Sequence, residues 1–385
     1  MKAVGPFSLL RWLAGCCAAW LVISCGGGVG TGGTGSFASG PITGFGSIIV
    51  DGVDFDETLA TIDDDGGNGR SRAELHLGTV VEVEAGQIRD GAAVASNVRM
   101  TSSLIGKVES ATSDTLVVNG LSVRFNSGTM FDERFAGGAS GVAVGSTVEV
   151  YGFVESTPSE ILATRVEPST ATSFKFRGAV ESLVAAAGTF DLGGQHFHYA
   201  GTVPGANFLA QDALVRVIVD AQRDAQGRWN VTDVRSAAPP GGNMLDVRAH
   251  GVITSFTSIA QFKVQGFTVD ASAATIDNGP LALRQRVEVE GRLVNGVLVA
   301  SKVVVEDVAG PSELQVAGTI ESIDTVAKVF AFRGRPDKVS FARPDVVFEN
   351  GDLSMLMSGA KVHAFGKLSA DRTVLEARRI RFDRN

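Results

Sequence analysis

The acidic run Asp63-Asp64-Asp65-Gly66-Gly67-Asn68-Gly69, followed by Glu74, carries the strongest chemical signal in the sequence. A calcium loop of the EF-hand type takes oxygen ligands from its first, third and fifth positions, turns on a glycine at the sixth and closes with a bidentate glutamate at the twelfth. Asp63, Asp65 and Glu74 fit that spacing, but Gly67 holds the fifth place and Asn68 the sixth. The flanks are strand-like, so the run reads first as a solvated acidic turn and second as a Ca²⁺ site. Phe131-Asp132, Ile276-Asp277 and Phe348-Glu349 repeat an apolar-acid pair at corresponding places, which favours a structural role for Asp63. His196 and His198 fall on one side of a strand, a spacing that suits a transition metal, yet two ligands do not make a site. Gly28-Val29-Gly30-Thr31-Gly32-Gly33 matches G-x-G-x-x-G with no strand before it and no helix after it, and therefore reads as glycine-rich composition. The chain has no G-x-S-x-G elbow, no H-E-x-x-H and no phosphate-binding loop. No cofactor is expected. Carboxylates that meet only in space leave an envelope hydrolase as the last-ranked reading.

The elements that must position these residues follow from composition. The chain has 385 residues, 44% hydrophobic and 20% charged, within the globular range. Its 34 Lys and Arg against 42 Asp and Glu give a net charge of −8, with no basic cluster. Nucleic acid is thereby excluded as a partner, because phosphate binding needs a positive face. Nucleotide is excluded with it. The three cysteines, Cys16, Cys17 and Cys25, all lie near the N-terminus, around an apolar run from Trp12 to Ile23 preceded by Lys2 and Arg11. That run is too short to span a bilayer and reads as the core of a secretory leader. Residues 26–36, GGGVGTGGTGS, form a flexible tether with an end-to-end distance of about 20 Å.

The remainder repeats. A glycine between two short apolar strands recurs at Gly52, Gly120, Gly194, Gly266 and Gly334. Asp-Gly, Asn-Gly and Gly-Gly there are dipeptides of two-residue hairpins, whose central residues take positive φ. Further on, an apolar-polar alternation marks a half-buried strand whose polar member is expected to face water: Glu82, Glu149, Arg216, Glu288 and His363. Before it stands Gly78, Gly145, Asp212, Arg284 or Gly359, so glycine is preferred there without being required. Each unit opens on Gly40, Gly106, Gly178, Gly251 or Gly318 and closes on an Ala-to-Val strand such as Ala95 to Val98. Five or six short strands in about 65 residues are too few for a sandwich, and closing them into a barrel removes exposed edges. The expectation is an all-β tandem array of five small closed barrels, similar to oligonucleotide/oligosaccharide-binding barrels, with an SH3-like barrel as the alternative. Its parts are a leader at 1–24, a tether at 25–36, and repeats at 37–101, 102–172, 173–245, 246–312 and 313–385. Linkers such as Pro168 to Thr172 and Pro239 to Gly242 should be protease-accessible.

Val22-Ile23-Ser24-Cys25 resembles the lipobox of bacterial lipoproteins, which implies acylation of Cys25 and a membrane attachment through that lipid. Gly26 is not Asp, so by the same resemblance the destination is the outer membrane of a Gram-negative cell envelope. Cleavage there would leave 32 basic against 42 acidic residues. With the lipobox, the tether, the segment Gly40 to Val50 and the repeated Val-Glu-Val and Ala-x-x-Val units, the chain resembles bacterial proteins carrying domain of unknown function 5666. That family lends no catalytic residue and no substrate. Aromatics make up 7% and are nearly all Phe, a core choice and a poor sugar platform. The function expected is a non-catalytic binding or assembly module holding an envelope protein or polymer, with a passive spacer as the alternative.

Overall fold

The computed structural model describes residues 35–383, apart from 45–46, 136, 156–159, 307–313 and 336. Cys25, the leader, most of the tether and the stretch Gly28 to Gly33 lie outside the described residues. Among the described residues the chain is all-β, 57% strand, with no helix of seven residues or more. Among the described residues no helix is long and apolar enough to cross a membrane.

Three closed five-strand barrels are present. In the first, the strand Ser36–Gly44 pairs with Ile48–Val50, which pairs with Val53–Asp56 across the Asp51-Gly52 turn. Val53–Asp56 then lies parallel to Ala92–Met100, which pairs with Val80–Ala85, and Val80–Ala85 returns to Ser36–Gly44. The neighbour order is therefore 1-2-3-5-4-1. The second barrel follows it with Leu104–Ala111, Thr115–Val118, Leu121–Arg124, Thr147–Glu155 and Glu160–Pro168. A third runs from Met244–Ser258 to Val297–Val305 in the same order. In each of these a parallel pairing of three residues joins strands 3 and 5. The segments 174–236 and 314–382 repeat the order, but only two residue pairs join strands 3 and 5: Phe197 with Trp229 and His198 with Asn230, and Val339 with Leu375 and Ser340 with Glu376.

Local chemistry explains the recurrence. Asp51-Gly52, Asn119-Gly120, Gly193-Gly194 and Gln265-Gly266 all take positive φ at both positions, as two-residue hairpins need. At the fifth site Gly334 alone does so, within a longer loop. The turn before strand 4 is more uniform than the sequence suggests. Gly78, Gly145, Asp212, Arg284 and Gly359 all have φ between 63° and 90°, so Asp212 and Arg284 hold a left-handed conformation that glycine adopts without strain. Each donates its N–H to the same place on strand 1, the carbonyls of Ile42, Val108, Val180, Ile253 and Ile320. The N–H of that strand-1 residue returns a bond to the residue after the turn glycine or its equivalent. There strand 1 changes register and passes from pairing strand 4 to pairing strand 2; in segment 174–236 the strand breaks at Val180 instead.

Residues Gly32–Asn385 form one compact unit. Segments distant in the chain share its cores. Val316, Phe330, Val362 and Ile380 pack in one cluster with Val50, Phe55, Leu75 and Val83 of the first barrel. The second barrel shares its core with segment 174–236, through residues such as Phe131, Phe176 and Phe197. Phe37 of the first barrel enters the core around Phe262, Phe267 and Val289. Burying a Phe of this kind contributes about 2–3 kcal/mol. Sheets also run across the joints: Ser36 to Ser39 lie parallel to Asp246 to Ala249, and Leu104 and Ile105 pair with Phe176 and Lys175. Thr101, Ser102 and Ser103 are buried, so the joint at 102 is no accessible linker.

Candidate functional site

Three polar members of the strand-4 alternation, Glu82, Glu149 and Arg216, are half-buried against other polar side chains instead of facing water as the pattern suggested, whereas His363 stays within its own segment beside Asp383. Glu82 pairs with Arg177 at 3.3 Å, Glu149 accepts a bond from Ser102 Oγ at 2.6 Å, and Arg216 reaches Asp65 at 3.3 Å. Alternation distinguishes polar from apolar surroundings and cannot tell solvent from another barrel's polar flank.

The structure takes the three acids of the calcium-loop spacing to different cations. Asp65, buried, meets Lys175 Nζ at 2.9 Å and Arg216. Asp63 faces Arg99 at 3.4 Å. Glu74 pairs with Arg70 at 3.0 Å and accepts the Ser71 N–H in a capping box. The loop is organised by Asp64, whose Oδ1 accepts from the backbone of Gly66 and Asn68 while Arg70 holds Oδ2. The repeated apolar-acid pairs lie on short strands along strand 5, where Asp132 meets Arg165, Asp277 meets Lys302 and Glu349 meets Arg379. Asp63 belongs to that series. His196 is exposed and hydrogen-bonded to Asp191 at 2.6 Å; His198 sits half-buried two residues on in the same strand.

The feature that sequence reasoning missed is a cleft of about 800 Å³ whose walls come from four parts of the chain. Ile42 and Leu77 of the first barrel, Met130 and Phe153 of the second, and Val316 and Leu375 of the last segment supply apolar wall. From segment 244–306 come Val304 and a charged group made by His250, Arg286 and Glu306. His250 joins three barrels. Its ring stacks on Phe153 with centroids 4.9 Å apart, Nε2 meets Glu306 Oε2 at 2.6 Å, and Nδ1 faces Asp51 Oδ1 at 3.3 Å. Arg286 Nε meets the same Glu306 oxygen at 2.5 Å. Burial alone would push the imidazole towards its neutral form, but the Asp51 and Glu306 carboxylates win and raise it to about 10. Burial acts against the Glu306 carboxylate too, yet His250 and Arg286 hold it down at about 2. Burial and the Asp51 charge raise the neighbouring Glu288. His250 and Glu306 are thus both charged at neutral pH and face each other as an ion pair.

A second cavity, of about 230 Å³, lies where His76, Asp132, Arg165 and Asp337 meet. The fully buried Arg165 touches Asp132 at 3.3 Å, Asp337 at 3.7 Å and Glu167, and donates to the Leu77 carbonyl. It is a strut between barrels.

One signal could have pointed to His250. It is a titratable residue in a strand, immediately before a unit-opening glycine and the apolar pair Val252-Ile253. Compared with known families, the chain matches the domain of unknown function DUF5666 over residues 39–99, 105–167 and 250–304, which fall on the three closed barrels. No curated protein matches the chain.

Proposed function

The chain carries repeated modules of domain of unknown function 5666, and from that premise we propose that it is a non-catalytic binding module of a bacterial cell envelope, with one composite site at the junction of its barrels. The observation that carries this reading is the cleft itself: its size is that of small-molecule sites, and its walls come from four segments rather than from any one repeat. In this reading five copies of one barrel build the protein. The support is the neighbour order 1-2-3-5-4-1 and the reciprocal bonds between strand 1 and the turn before strand 4, which recur in all five segments. A five-strand Greek-key barrel with strands 3 and 5 parallel resembles the oligonucleotide/oligosaccharide-binding architecture more than the SH3-like one. Repetition serves here to enclose a site, not to multiply independent contacts. Non-catalytic action is favoured because His250, Asp51, Glu306 and Arg286, the buried charged group at the cleft, are engaged with one another.

The reading retains a lipid anchor at Cys25, supported by the lipobox-like Val22 to Cys25 and the glycine tether, and places the module at the outer membrane. Cys25→Ser should release the chain from the membrane fraction or block its processing. For the cleft, the full chain purified from envelopes should yield, on solvent extraction and mass spectrometry, a small molecule near one per chain. Val304→Trp, which fills a half-buried wall position, should lose it. Equal recovery from both chains, or none from either, overturns the cleft as the site.

A further inference from the structure

We infer that two copies of the chain join through residues 254–258, edge to edge and antiparallel about a two-fold axis. In strand Met244–Ser258 the edge that pairs with Arg286–Val294 loses its partner after Ile253, whose carbonyl accepts the Arg284 N–H. Beyond that point, among the described residues, the strand pairs only with Gln261–Val264, on its other edge. Thr254, Ser255, Thr257 and Ser258 are exposed. An open row of N–H and C=O groups is a template for another strand, and proteins commonly blunt it with charge or cover it. The other four segments do so at this place. After the bonded strand-1 residues Val108, Val180 and Ile320 come Glu109, Glu181 and Glu321, and in the first barrel the strand runs on to Gly44, which is buried against Ala317. The fourth segment has neither device: residues 251–262 hold no charge, and Lys263 lies on the paired strand.

A second copy is the occupant that the two ends of this edge fit. At one end stands the turn Leu283-Arg284, with Leu283 49% exposed; at the other stands the hairpin tip, with Ile259 45% exposed. Antiparallel pairing about a two-fold brings the tip of each copy against the turn of the other, so that Ile259 meets Leu283 twice. The same operation turns Arg284 towards Asp270 of the second copy. Asp270 adjoins the tip because Ala271 donates to the Ile259 carbonyl, and its carboxylate accepts only from Ser272 among the described residues. Two identical uncharged edges bring no like charges together, whereas edges carrying Glu109 or Glu321 would. The chain already contains such a joint, since Leu104 and Ile105 of one first strand pair antiparallel with Phe176 and Lys175 of another. Residues 254–258, Ile259 and Leu283 do not line the cleft, so the inference is independent of the binding reading.

So short an edge buries less than a standard interface, and the association is a weak one, with a Kd of about 10 µM. The experiment uses residues 32–385, which form one compact unit. In sedimentation equilibrium the weight-average mass should rise from one chain towards two between about 1 and 100 µM, and no further. Thr254→Glu, which installs the acid of the other segments at an exposed position, should weaken the association about tenfold. Thr325→Glu, on the exposed hairpin of the last segment, should leave it unchanged. Residues 32–385 hold no cysteine, so introduced thiols can be read one at a time. Under mild oxidation, Thr254→Cys mixed with Ser258→Cys should give more linked dimer than either variant alone, because antiparallel strands set opposite ends of the edge together. A chain that stays monomeric throughout overturns the inference. A dimer indifferent to Thr254→Glu uses another surface and overturns the edge, and equal linkage by each variant alone, or growth past two chains, overturns the antiparallel two-fold.

Discussion

Single residues carry the joints of this molecule, and their costs can be measured one at a time. His250 is held charged by two carboxylates, so its folded pKa of about 10 stands above the ordinary 6.5. A raised pKa gives stability that is fully present below pH 6.5 and is lost as pH climbs through about 10. Glu306 works in the opposite direction, from an ordinary 4.5 down to about 2, and its contribution disappears as pH falls through that range. Urea unfolding from pH 5 to pH 10 should therefore show a declining alkaline limb that His250→Gln flattens, and the variant should cost about 3 kcal/mol at pH 6. An unchanged limb would show that the imidazole is not the titrating group. The backbone offers a second measurement. Arg284 holds φ at 70° where Gly78, Gly145 and Gly359 sit in other repeats, so Arg284→Gly should stabilise by about 1 kcal/mol. Gly291 sits at the strand-4 bulge, and a Cβ on it would press on the Val299 carbonyl and come within 2.8 Å of Ala300 Cα. Gly291→Ala should destabilise by about 2 kcal/mol or more, read as a lower urea midpoint.

At the scale of elements, the five segments differ in how firmly strands 3 and 5 hold together. Three parallel pairs join Val53–Asp56 to its partner, whereas Gln195–His198 and Lys338–Ser340 have two each. Amide exchange should be faster in those two shorter pairings than in Val53–Asp56, although all three strands carry buried apolar side chains. Equal protection would mean that packing, not ladder length, sets their opening. The elements were also where the sequence was most legible. Asp51-Gly52 and Asn119-Gly120 announce their hairpins because few residues tolerate paired positive φ, and the interval between such glycines reveals the repeat. The left-handed turns at Asp212 and Arg284 were hidden by residues that do not advertise positive φ. Glu82, Glu149 and Arg216 were misplaced in water because a one-dimensional pattern records polarity and not its source. The cleft was invisible for a simpler reason: Leu77, Phe153, His250 and Leu375 line one cavity only after segments far apart in the chain have packed together.

For the whole molecule, shared cores predict that the chain behaves as one body even when cut. Gly241 to Asn243 is exposed, while Thr101 to Ser103 is buried, so limited proteolysis should nick the former and spare the latter. Because the first barrel shares its core with segment 314–382, the two halves of the nicked chain should stay together on gel filtration without denaturant. Halves that separate would disprove the shared core. The strand that follows the tether has a mechanical meaning of its own. From Ser36 to Ser39 it is bonded on both edges, antiparallel to Glu82 to Ala85 and parallel to Asp246 to Ala249. Tension applied ahead of Gly35 would run along that strand and load two ladders in shear at once, instead of peeling one bond at a time. A tug arriving through the tether would thus be shared between two barrels before it could open either.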